Sequence, residues 1–142
     1  MLKESNLRDL LREKKLKATP IRLEILQIFS TSHCEPIDAI KLHKRLKKSK
    51  VNLVTIYRTL ESFEKAGLLR PIDLRESSIH YELANHHHHH IICRSCGEIE
   101  RLNHCDLANL TDTVLKSAKK FTAISDHTLE FFGACRKCQM KK

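Results

Sequence analysis

Glycine is scarce. Only Gly67, Gly97 and Gly133 occur in 142 residues, so the chain has no glycine-rich loop to cradle a phosphate. Other catalytic signatures are missing too. There is no HExxH, no HxE followed by PCxxC and no nucleophile elbow, and catalysis is therefore not expected. No uninterrupted apolar run reaches membrane-span length, and the start, Met1-Leu2-Lys3-Glu4-Ser5, lacks a secretory h-region. A cytoplasmic protein is expected, with no membrane partner and no small-molecule substrate. In a reducing compartment, six cysteines with two CxxC pairs favour metal thiolates over disulfides. Apolar residues make up 41% and are spread along the chain, which is foldable rather than disordered.

Charge is unevenly placed. Residues 1–75 hold 17 Lys/Arg against 9 Asp/Glu, a net +8, whereas residues 76–142 hold 9 against 8, a net +1. The basic half is the one without CxxC pairs. That arrangement suggests a polyanion-binding module joined to a sensing or assembly module, although a solvated lysine-rich surface gives the same count.

The first half reads as helices. Leu7, Leu10 and Leu11 give an amphipathic period over Asn6 to Leu16. Thr19-Pro20 is a helix start, with Thr as N-cap and Pro at the first helical position. The polar stretch from Ser30 to Glu35 ends that helix, and Pro36 is predicted to open a third. Asn52 is the predicted N-cap of a fourth helix, 53–66. There Leu53, Ile56, Leu60 and Phe63 face the core, Thr55, Tyr57, Arg58, Glu61 and Lys65 lie toward the outside, and Gly67 follows as C′. Two β-type runs, Leu69 to Leu74 and Ile79 to Leu83, flank a polar turn at 75–78. Helices followed by a hairpin describe a winged helix.

The second half is shorter of large apolar residues. Strands are predicted at His88 to Cys93, Glu98 to Leu102 and Ala123 to Gly133, with a helix from Asp106 to Lys120. A core this small needs a staple, and a bound metal or a dimer partner would supply one.

Metal ligands dominate this half. Cys93 and Cys96 form one CxxC knuckle, Cys135 and Cys138 another, and together they supply a four-thiolate zinc site. The 38 residues between Cys96 and Cys135 exceed usual zinc-ribbon spacing, so the fold must bring the knuckles together. The competing reading is redox-active or simply buried thiols. Beside the first knuckle runs His86-His87-His88-His89-His90. In a strand alternate residues share a face, so His88 and His90 point one way, His87 and His89 the other. One strand then serves two different metal sites; the plainer alternative is a mobile histidine-rich loop. Further ligands must come from elsewhere: Glu82, the cluster His33, Cys34 and Glu35, His127, or the cluster His104, Cys105 and Asp106. His43 and His80 have no such neighbours and read as structural.

Three segments resemble a known family. They are Val51-Asn52-Leu53-Val54-Thr55-Ile56-Tyr57-Arg58-Thr59-Leu60 with Glu64-Lys65-Ala66-Gly67-Leu68, then Tyr81-Glu82-Leu83 with His86 to His90, Ile92-Cys93 and Cys96-Gly97, and finally Asp126-His127-Thr128-Leu129, Phe132-Gly133 and Cys135-x-x-Cys138. In order and over nearly the whole chain they resemble the ferric uptake regulator (Fur) family. The resemblance implies an α+β protein with an N-terminal winged-helix DNA-binding domain (1–84) and a small C-terminal α/β dimerisation domain with zinc knuckles (85–142). It implies a repressor that binds palindromic operator DNA as a homodimer when a divalent metal occupies a hinge site. A zinc-uptake branch of the same family is the alternative, and a zinc storage or delivery protein is the rival from another class.

Site residues follow from the same resemblance. Cys93, Cys96, Cys135 and Cys138 hold structural Zn²⁺. Glu82, His88 and His90 match the regulatory site for Fe²⁺, Zn²⁺ or Mn²⁺, completed by His33, or alternatively Glu35 or Cys34, because Pro36 occupies the position aligned with a family His. His87, His89 and His127 match a second site. The family's Glu from the last helix has only Ala108 and Asn109 near its position, so either Cys105 or Asp106 substitutes or the site lacks that ligand. Tyr57 and Arg58, with Thr55 and Asn52, are placed at DNA. The peroxide-sensing branch carries an acidic residue five positions after the second knuckle cysteine. Arg101 stands there, which argues against peroxide sensing.

Overall fold

Leucines one helical turn apart begin the fold. Helix α1 (Glu4–Glu13) buries Leu7 and Leu11 on one face and keeps the Arg8–Glu4 pair, 2.8 Å, on the other. It stops three residues short of the predicted Leu16. Lys15 turns left-handed (φ 56°), and the amides of Lys15 and Leu16 donate to the carbonyls of Arg12 and Leu11, both at 2.8 Å. This is a Schellman closure with lysine where glycine is usual. Helix α2 (Pro20–Thr31) begins at the predicted place, but the Thr19 side chain makes no cap bond; the Thr19 carbonyl accepts from Leu23 N–H at 3.1 Å instead.

Pro36 does not open the third helix. Ile37–Asp38 form a short strand, β1, and α3 runs from Ala39 to Arg45. Asp38 is the better start, because its carboxylate accepts the Lys41 N–H at 2.6 Å as an N-cap while Ile37 pairs with Tyr81. Helix α4 (Leu53–Lys65) is capped by Asn52 Oδ1, which accepts from Thr55 N–H at 2.8 Å. Ile56, Thr59, Leu60 and Phe63 are buried along it, and Gly67 (φ 65°) closes it with Leu68 N–H donating to Phe63 O at 2.8 Å. Strands β2 (Leu69–Ile72) and β3 (His80–Leu83) pair antiparallel, giving the order β1-β3-β2. Their connection covers residues 73–79 rather than the predicted four-residue turn.

The structure, a computed structural model, describes residues 4–32, 35–46, 49–84, 88–102, 108–125, 127 and 129–140. The chain divides into two units, Met1–His86 and His87–Lys142. The elements so far belong to the first, whose core joins Leu7, Leu11, Leu26, Ile37, Phe63 and Tyr81 with ten further buried side chains. Burying each large aliphatic or aromatic group contributes about 1.5–3 kcal/mol.

In the second unit, β4 (His89–Cys93) lies between β5 (Ile99–Leu102), antiparallel, and β6 (Glu130–Gly133), parallel. Helix α5 spans Ala108–Ser117 and α6 Arg136–Gln139. The predicted helix to Lys120 ends early, where the Ser117 hydroxyl donates to Val114 O at 2.8 Å. The predicted strand from Ala123 shortens to four residues, because β4 pairs with it only from His90↔Glu130 to Cys93↔Gly133. Of its described apolar side chains only Ile92 and Cys93 are buried, while Leu110, Val114, Ile91 and Phe131 stay exposed. Among its described residues the hydrophobic core of this unit is small, which makes a bound metal or a partner a needed staple.

Candidate metal centre

The two knuckles meet. The Sγ atoms of Cys93, Cys96, Cys135 and Cys138 all lie within 4.8 Å of one another, with Cys96 and Cys135 at 3.6 Å. A tetrahedral zinc with Zn–S near ~2.3 Å needs sulfur–sulfur edges of about 3.8 Å, so the set fits zinc. The sulfurs are too far apart for a disulfide, and all four cysteines are free.

Local structure explains the convergence. Cys93 ends β4, where Gly97 (φ 72°) turns the chain and donates its N–H to Cys93 O at 2.9 Å. Gly97 is the one knuckle position where a left-handed turn requires glycine. The parallel pairing Cys93↔Gly133 delivers Cys135 to the same end of the sheet, where it caps α6. One turn later Cys138 N–H donates to Cys135 O at 3.0 Å.

Backbone amides, led by Cys135 N–H at 3.2 Å, hold the Cys93 thiol down to about 6. Hydrogen bonding with the Cys96 and Cys135 sulfurs pushes Cys138 up to about 12. The Cys96 and Cys138 thiols are both held above their ordinary value, so zinc binding at neutral pH displaces protons from them, whereas Cys93 is held toward the thiolate. Apparent zinc affinity should rise with pH by about one decade per pH unit for each proton displaced. A chelator competition between pH 6.5 and 8 checks this, and a flat profile would contradict it.

Of the run, the described His88, His89 and His90 alternate as the strand period predicts. His88 and His90 are buried, their rings edge to face with centroids 4.9 Å apart. His89 lies instead beside His127, centroids 5.3 Å apart. Its Nδ1 is 3.1 Å from Leu129 O. A carbonyl only accepts, so Nδ1 carries the hydrogen and the Nε2 lone pair is presented as a ligand, the usual arrangement of a metal-binding imidazole. His87, His33, Cys34 and Cys105, with His104 and Asp106, lie outside the described residues.

In the first unit Glu82 is buried and forms an ion pair with Arg70, its cross-strand partner. Sequence reasoning missed Arg70. The signal was a charge of opposite sign on the facing strand. Glu35 is exposed and held by two cations: the Lys41 ammonium donates to it and, with Arg45 at 3.2 Å, keeps its carboxyl below the usual range. His43 Nε2 lies 3.0 Å from Val51 O, and buried His80 lies between Asp38 and Glu76. On α4, Tyr57 and Arg58 are exposed, Thr55 is half-buried, and Asn52 is engaged as the cap.

The ferric uptake regulator family pattern matches residues 13–132. The chain belongs to that family. The ferric uptake regulation protein of Neisseria meningitidis serogroup C is 34% identical over 144 residues, covering 99% of this chain and 98% of that one. A peroxide-responsive repressor, PerR of Staphylococcus saprophyticus, is 30% identical and covers 92% and 88%. The structure of the Helicobacter pylori Fur, described as having three functional metal-binding sites, superposes with a TM-score of 0.75 at 26% identity, covering 95% and 90%. The α+β class of a Fur-family, metal-responsive transcription regulator therefore holds for this chain. Among the described residues no helix is long and apolar enough to cross a membrane.

Proposed function

We propose that this Fur-family chain is a cytoplasmic repressor that binds palindromic operator DNA as a homodimer when a divalent ion occupies a hinge site of Glu82, His88 and His90. The observation that carries the reading is the division of the imidazoles in and just before β4, with His88 against His90 and His89 against His127. Neighbouring imidazoles thereby belong to two separate pairs, the second completed by His127 from outside the strand, and the Cys93–Cys96–Cys135–Cys138 set adds a third, structural centre that fits Zn²⁺. Imidazole with carboxylate suits Fe²⁺, Mn²⁺ and Zn²⁺ alike.

Further ligands belong to the proposal. His33, or alternatively Glu35 or Cys34, would complete the regulatory site; as a ligand, Glu35 would have to give up its ion pairs with Lys41 and Arg45. His87 and Cys105 would join His89 and His127 at the second site. Glu82 belongs to the DNA-binding domain, proposed as residues 1–84, and His88 and His90 to the dimerisation domain, 85–142. A ligand set drawn from both domains binds more tightly when their relative arrangement is fixed, and this differential affinity is what shifts a population. In the dimer, that fixed arrangement would set two α4 helices at operator spacing. Dimerisation is supported by the exposed pair Ile91 and Phe131, partners across β4 and β6, and by Leu110 and Val114, one turn apart on α5. A second copy would cover what one chain leaves in water.

Operator affinity measured against buffered Fe²⁺, Mn²⁺ and Zn²⁺ tests the reading, with the structural zinc retained. The coupling expected for such a switch is about 5–150-fold. Unchanged affinity across all three metals would overturn it, and the metal acting at the lowest free concentration identifies the regulator.

A further inference from the structure

Glu82 is 1% exposed, and the nearest formal positive charge given to it by its own sheet is Arg70. The two are register partners across β2 and β3, and both Nε and Nη2 of Arg70 converge on one Glu82 oxygen, Oε1. The Arg70 side chain is 25% exposed. We propose that Arg70 is a built-in cationic competitor for the Glu82 carboxylate, setting how much divalent metal the regulatory site requires. This rests on the reading of Glu82 as a metal ligand.

The chemistry runs in one direction. A carboxylate taken out of water needs a counter-charge, and without an ion Arg70 supplies it. A divalent ion at Glu82 must share or displace those donors, and it meets a guanidinium that repels it. Glu82 is buried, whereas Arg70 already reaches solvent and loses little on release. A partner that merely orients a metal ligand would raise metal affinity. Arg70 differs because it is itself a cation and bonds directly to one of the only two oxygens Glu82 can offer.

The pairing also needs the observed register. With Arg70 opposite Glu82, Leu69 stands opposite Leu83 and Ile72 opposite His80. A slip of one residue would turn the arginine to the other face of the hairpin.

The test is Mn²⁺ titration of the zinc-loaded full chain by calorimetry, in a His127→Ala background that removes the second imidazole pair. Arg70→Met keeps the apolar stem and removes the charge. It should tighten Mn²⁺ binding by about tenfold or more, one step of 1.4 kcal/mol. It should also lower the metal-free melting temperature and enlarge the upward shift on adding Mn²⁺. Arg70→Lys, which keeps the charge, should stay nearer the parent. If Arg70→Met does not fold, Arg70→Gln carries the same expectation. Mn²⁺ affinity that is unchanged or weaker in the neutral variants would overturn the proposal. Glu82→Gln separates the two ideas. If it binds Mn²⁺ like the parent, the ligand reading itself fails; if it loses the ion while Arg70→Met leaves affinity unchanged, only the competitor fails.

Discussion

Exchange of Cys135 for serine is expected to release the structural zinc and to unfold the second unit while the first stays folded. Cys135 holds three roles at once. Serine removes the sulfur, 3.6 Å from that of Cys96, and keeps the backbone amide that donates to Cys93 Sγ at 3.2 Å and the place at the N-terminus of α6, so the exchange isolates the loss of the metal ligand. Structural zinc sites contribute about 10–16 kcal/mol of apparent binding free energy at neutral pH, which in small domains is folding free energy. Against this, the described part of the unit buries only Ile92 and Cys93 among its apolar side chains. The first unit has sixteen buried side chains in a single cluster, and none of its described residues belongs to the four-cysteine set. Metal analysis should show the loss of one tightly held zinc per chain. Limited proteolysis should cut beyond residue 88 while sparing residues 4–84. Full zinc retention with a single cooperative unfolding transition would show that the knuckles are not the staple.

What can be read from sequence divides by the range of the interaction. The Asn52 cap, the apolar spacing of Ile56, Leu60 and Phe63, and the Gly67 closure are all set within one helix, and the structure has each of them. The third helix start is harder, because Pro36 and Asp38 are both good start signals. Asp38 prevails because Ile37 is drawn into pairing with Tyr81, forty-four residues later in the chain. The last strand is shorter than its apolar run, which says nothing about how far β4 extends beside it. The same limit hides Arg70. A four-residue turn at 75–78 implies a register one residue away from the one observed, in which Arg70 would face Leu83. Hairpin register follows loop length, and the actual connection, with Arg75 in the left-handed region, is longer.

The metal chemistry is more legible than the fold around it. Thiolates in CxxC pairs leave few alternatives once the chain is placed in a reducing environment, and strand alternation separates neighbouring imidazoles without knowledge of the partners. The structure brings Cys93 and Cys96 to Cys135 and Cys138, and His89 to His127, from distant parts of the chain. No local rule delivers those long-range meetings; they depend on the parallel pairing of β4 with β6.

Replacement of both Tyr57 and Arg58 by alanine should abolish operator binding and leave stability and metal binding intact. Both side chains are exposed on α4, outside the cluster formed by its other face, so the fold should change by no more than about 0.5 kcal/mol. Removing a side chain that reads a base edge or holds a phosphate costs about 1–3 kcal/mol. A homodimer presents each side chain twice, so affinity should drop by at least about a thousandfold. The two residues can be told apart by salt. If Arg58 holds a phosphate, Arg58→Ala should weaken binding to all sequences and reduce the salt slope by about 1 per subunit. If Tyr57 reads bases, Tyr57→Ala should leave that slope unchanged and relax sequence preference instead. Binding within about threefold of the parent for the double variant would remove α4 from the DNA interface, since removing even one such side chain exceeds that figure. A zinc carrier would show no operator preference before or after the exchange. The comparison therefore tests the helix and the regulatory role together, while zinc content and Mn²⁺ affinity report that the metal centres are undisturbed.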